Sequence, residues 1–183
     1  MRTVFIVILL AICPFTVEGQ NNNSANLPKH FKYSATIQRS YDRFKDVTAL
    51  QLSPMLVAGD KNTGLYLSLT SAYDGTNPSS AKRQNYVIGL IAMSDTPLRA
   101  KDTMLLSIID GERLEIGTFE FLGIVRDGVS YISTYSLYGD QKIIAKIAHA
   151  KKVEMQFDGI EFEVTDEQRN AIIDFIQYAI GGN

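Results

Sequence analysis

The chain has 183 residues, a formal charge of −2 and a hydrophobic share of 45%. That balance excludes a global attraction to nucleic acid or to an anionic membrane surface. A lone cysteine, Cys13, rules out an intramolecular disulfide, and two histidines are too few for a typical zinc site unless carboxylates supply most of the ligands.

In residues 1–19, Arg2 precedes an apolar run from Val4 to Ile12, and small or polar residues follow. A bilayer-spanning helix needs about 20 apolar residues, so this run is too short. The layout predicts a secretory signal peptide cleaved after Gly19, and therefore export to the periplasm or beyond. The alternative, a lipidated Cys13, would ordinarily call for a small residue before the cysteine, where Ile12 stands. Residues 20–30, QNNNSANLPKH, read as a flexible polar lead, and 31–183 as a single β-rich domain. No later segment has the length of a transmembrane helix.

Period-two alternation then begins. Phe31, Tyr33, Ala35 and Ile37 alternate with polar residues, predicting a strand with one buried face. A second strand has Val47–Leu52 as its surest part, and Pro54, which has no N–H to donate, belongs at a bulge, bend or edge. Residues 65–73 form a third strand ending at Asp74-Gly75. The nearly continuous apolar runs 86–93 and 103–109 predict central strands covered on both faces.

Asp-Gly pairs at 110–111, 127–128 and 158–159 suit hairpin turns, which need positive φ. A two-residue loop at 127–128 would set Ile124 opposite Tyr131 and Leu122 opposite Ser133. The last turn would pair Phe157 with Ile160, Met155 with Phe162 and Val153 with Val164. A helix near 140–150 follows Asp140 as N-cap, with Ile143, Ile144 and Ile147 as its apolar stripe. A second, near 166–180, opens with a Thr165–Gln168 capping box and carries Ile172, Ile173, Phe175, Ile176 and Ile180. The fold class is mainly β with C-terminal helices (α+β): an antiparallel β-sandwich or partly closed barrel packed by two helices.

Candidate chemistry is sparse. The last hairpin sets Glu154 opposite Glu163, and like charges directly opposed are unfavourable. A shared metal or an acid–base dyad would account for them, but so would a wet hairpin face screened by solvent and by Lys151, Lys152 or Arg169. The acidic spacing after Asp158 does not match a calcium loop. Asp42 and Asp46, in YDRFKD, are acidic residues beside aromatics in a turn or bulge. Tyr131 and Tyr135 share one strand face and offer an aromatic binding surface, though tyrosine on a half-buried sheet is ordinarily core. No phosphate-binding, dinucleotide or nucleophile-elbow motif occurs, and no cofactor or metal is expected.

The stretches SYDRFKDVT, DGER, KIAHAKKVEMQFDGIEFEV and DEQRNAIIDF together resemble a group of uncharacterised secreted bacterial β-rich proteins with no assigned activity. The resemblance implies bacterial export and one domain, and it carries over no catalytic residue. The expectation is a non-enzymatic exported domain binding a protein or cell-envelope component. The alternative is a carboxylate-dependent hydrolase acting on a glycan.

Overall fold

The computed structural model describes residues 36–76 and 84–180. The expected signal peptide, the polar lead and the first residues of the predicted first strand lie outside them. Among the described residues ten strands form two antiparallel sheets that do not close into a barrel, and two helices lie near the C-terminus, one before the last two strands and one after them.

The larger sheet contains β1 (Ile37–Asp42), β2 (Val47–Gly59), β3 (Gly64–Asp74), β4 (Gln84–Ser94), β7 (Glu120–Asp127) and β8 (Ser130–Gly139), in the order β1-β2-β3-β4-β8-β7. The smaller contains β5 (Met104–Ile109), β6 (Glu112–Thr118), β9 (Val153–Phe157) and β10 (Ile160–Glu163), in the order β10-β9-β5-β6. The chain therefore passes from large sheet to small, back to large, and to small again. Helix α1 (Gln141–His149) precedes β9, and α2 (Asp166–Ala179) is the last element among the described residues.

One continuous core joins these layers. Leu69 and Ile88 of the large sheet, Leu105 and Met155 of the small one, Ile144 of α1 and Ile172 of α2 border a common void of about 10 Å³. Both helices and the small sheet thus lie on the same side of the large sheet. Tyr135 of β8 meets Phe157 of β9 across the sheets at 5.2 Å; Phe119, in the connection between β6 and β7, meets Phe157 at 5.5 Å, and Phe121 packs on its neighbour Tyr135 within the large sheet at 5.3 Å.

Local sequence chemistry sets much of this frame. Asp110 and Gly111, with φ of 51° and 87°, turn β5 into β6; Asp158 and Gly159, with 49° and 77°, turn β9 into β10. Positive φ at both positions is the two-residue hairpin geometry that Asp-Gly favours. Each aspartate also grips a distant backbone. Asp110 Oδ1 accepts from the amides of Lys151 and Lys152 at 2.8 and 2.9 Å. Asp158 Oδ1 accepts from those of Lys101 and Asp102, both at 3.0 Å. Asp140 caps α1, and the Thr165–Gln168 box is complete in both directions.

At the corner between sheets a single residue, Phe119, separates β6 from β7. Gly117 approaches it with φ of 147°, and a Cβ there would lie 3.0 Å from Leu137 Cδ1, so both backbone and packing call for glycine. Pro54 sits where the β2–β3 register shifts between Leu52 and Met55, a bulge that absorbs its missing donor.

Three expectations need correction. The β7–β8 turn is Gly128-Val129, so Ile124 faces Ser133 and Arg126 faces Tyr131, two places from the register an Asp-Gly loop would give. Gly128 has φ of 59° and Val129 is not in the positive region, as in turns that want glycine only at the first position. Ile180 lies beyond α2 and is 48% exposed; Ala171 and Ala179 join Ile172, Phe175 and Ile176 in the core instead. Finally, β4 and β5 are central as expected, but each buries one face only. Along β4, Tyr86, Ile88 and Leu90 are buried while Val87, Ile91 and Met93 are half-buried. Along β5, Leu105, Ser107 and Ile109 are buried and Leu106 is 37% exposed.

Candidate functional site

The acidic residues singled out by sequence fall into two separate places. Asp42 and Asp46 flank the β1–β2 turn. Asp42 Oδ1 accepts from the amides of Phe44 and Lys45 at 2.9 and 3.2 Å, and Asp46 Oδ1 accepts from the Tyr41 hydroxyl at 2.8 Å. That bond, with the nearby carboxylate charges, holds the Tyr41 pKa above its usual value. Both aspartates are thereby tied to their own turn.

Glu154 and Glu163 do face each other across the β9–β10 hairpin. Lys152 explains how the pair is tolerated: its Nζ lies 2.9 Å from Glu154 Oε1. Its pKa is raised first by that hydrogen bond, then by the charge of Glu154, with a further contribution from Glu163. Beside them, Gln156 Nε2 donates to Glu161 Oε1 at 3.2 Å. Among the described residues no group of three or more His, Cys, Asp or Glu side chains is placed to hold a metal.

The tyrosine pair is divided. Tyr135 is 1% exposed, its ring packed between Phe121 and Phe157, and its hydroxyl accepts from the Ala100 amide at 2.7 Å. Tyr131 is half-buried, with the Arg126 guanidinium 5.8 Å above its ring. Ser133, between them, donates to the Leu98 carbonyl at 2.5 Å. Tyr135 and Ser133 thus anchor the segment that carries the chain from β4 to β5.

Two further hydroxyls are buried on the inner face of the large sheet. That of Tyr86 has no hydrogen-bond partner among the described residues, and burial pushes its pKa up to about 12. That of Tyr73 is raised chiefly by burial, opposed by Arg39 and Thr48, and makes no hydrogen bond of ordinary geometry.

The feature that sequence reasoning did not isolate is the outer face of the large sheet. The strand registers place Tyr66, Ile91 and Thr134 in one row, Thr70, Val87 and Tyr138 in a second, and Met93, Ile132 and Val125 in a third. A fourth row, Ser68, Gly89 and Ser136, is almost flat; a Cβ at Gly89 would come within 2.4 Å of Ser68 Oγ. Among the described residues charge appears only at the margins, with Asp42 and Asp74 at one end and Glu120 and Asp127 along β7. Val87, Ile91, Met93 and Ile132 do not belong to the core or pack against it.

The small sheet differs. There Leu106 and Ile108 stand among Arg113, Glu115, Glu154 and Glu163, the ordinary composition of a wet antiparallel face. Two outer faces of one molecule thus follow opposite rules.

No family model, curated protein or solved structure matches the chain.

Proposed function

We propose that the protein is a non-enzymatic, exported binding domain whose docking surface is the uncharged outer face of the large sheet, and that its partner is a protein or another component of the cell envelope. The observation that supports this reading is the composition of that face. A sheet face left to water ordinarily carries charged side chains, and a contiguous apolar face that no described element covers is commonly an interaction site. The run in β4 has the apolar residues of a strand covered on both sides, while no described element lies over one of them.

The hydrolase alternative draws no comparable support. Asp42 and Asp46 bind donors of their own turn, and Glu154 is paired with Lys152.

Lysine substitution on the face tests the reading. Val87→Lys and Tyr138→Lys should each lower capture of envelope partners by about tenfold or more, because a docked face would have to desolvate the ammonium. Leu106→Lys, on the charged outer face of the small sheet, should leave capture unchanged. Equal capture by all three variants would refute the proposal.

A further inference from the structure

We infer that the occupant of this face is a second copy of the same chain, stacked sheet on sheet about a two-fold axis. The inference rests on the preceding reading of the face as a docking surface and adds the identity of the partner.

Three properties favour a second copy. The first is size. Five strands, β2, β3, β4, β8 and β7, spaced at about 4.8 Å and contributing about eight residues each at about 3.3 Å, give a footprint of roughly 600 Å². Two such faces pressed together would cover at most about 1,200 Å², near the lower bound for a specific and stable interface, because Ser68, Thr134 and Ser136 are already buried.

The second is relief. Gly89 between Ser68 and Ser136 makes the middle of the face shallow, with the larger Val87, Ile91 and Tyr138 around it. Antiparallel sheets stack by interdigitating such rows at an angle of about 30° or near 90°. A broad shallow face of this kind offers no groove for an extended peptide.

The third is charge. The middle of the face has no ionic group to steer or register a charged ligand, and an identical face meets it without leaving any charge unpaired at the centre. At the margins Asp42 has Lys45 Nζ 3.6 Å away, which softens repulsion there, while Asp74, Glu120 and Asp127 stay exposed at the rim, where solvent screens them. A two-fold axis requires only that the patch complement itself, and closed dimers of this type are the commonest oligomers.

Sedimentation equilibrium of the purified protein provides the test. The wild type should weigh twice the chain mass at micromolar concentration. Tyr138→Lys and Val125→Lys, at positions already 56% and 57% exposed, should keep the fold and weaken the dimer by about 100-fold or more, since the substitution occurs in both copies. Val129→Lys, at the 85% exposed hairpin turn, should leave it intact.

A wild type that stays monomeric at about 100 μM overturns the inference. If the face variants then still lose envelope capture, the docking reading survives with a different partner. A dimer indifferent to both lysines also overturns it. A monomer whose urea midpoint falls with Tyr138→Lys overturns it too, since the face is then covered within the chain.

Discussion

Aspartate in this protein is chiefly a backbone acceptor. Asp60 holds the amides of Asn62 and Thr63 at 2.7 and 2.9 Å, Asp102 holds Met104, Asp140 caps a helix, and Asp110 and Asp158 each bind two amides of a remote segment. Charge-assisted bonds of this kind are stronger than neutral ones. Asp-Gly identified two hairpin turns because the requirement is local. The remote half of each aspartate's role was not legible, since nothing near Asp158 in sequence announces Lys101. Tyrosine shows the opposite limit: the aromatic pattern marks Tyr86 as a core residue but cannot reveal that its hydroxyl lacks a partner. Tyr86→Phe removes a buried group whose desolvation is uncompensated. Urea unfolding should show equal or higher stability, by up to about 1 kcal/mol. A loss of about that size would mean that the hydroxyl is satisfied in solution.

The β9–β10 hairpin shows how an element tolerates an unfavourable pairing. Its inner face, Val153, Met155, Phe157 and Phe162, is buried and fixes the register, since a one-residue slip would turn those side chains to solvent. That register forces Glu154 opposite Glu163, and Lys152 offsets the repulsion. Lys152→Met should lower the urea midpoint at neutral pH, and adding Glu163→Gln should restore most of the loss. The Lys152 pKa is raised in the folded state, so its contribution is complete below the unfolded value near 10.5 and disappears as pH rises through the folded one. Wild type and Lys152→Met should therefore converge in strong alkali. The pairing was readable from sequence because both strands and their turn are contiguous. The β7–β8 register was not, because Asp127-Gly128 and Gly128-Val129 are both acceptable turns. The protein takes the second, with a register irregularity between Phe121 and Gly123.

Across the whole molecule, layer order escaped the sequence. The apolar character of 86–93 correctly indicates a central strand, but which side the helices cover depends on contacts far along the chain. Ile144, Ile147 and Ile172 all choose the inner side. Acid stability is a property at this scale, since Glu112 binds Lys146 of α1 at 2.7 Å and Asp60 closes the β2–β3 turn. The Glu112 pKa is lowered mainly by the hydrogen bond from Lys146, and that of Asp60 by the backbone donors of Thr63 and Asn62. A depressed carboxylate contributes stability above its unfolded pKa, 4.5 and 3.8 here, and loses it as pH falls through the folded value. The urea midpoint should therefore fall between about pH 5 and about pH 2, and Glu112→Gln with Asp60→Asn should flatten that decline.

The single-residue corner at Phe119 bears on how the protein is made. During vectorial synthesis, β1 to β4 emerge first, but β4 cannot gain its second neighbour until β8 follows the β5–β6 hairpin. The small sheet in turn waits for β9, which inserts between β5 and β10 after α1. Each layer is finished only by residues downstream of part of the other. Neither sheet is contiguous in sequence, and a chain stopped at Ala150 would leave β5 without β9 along one edge. Cooperativity here is written into the order in which the strands alternate.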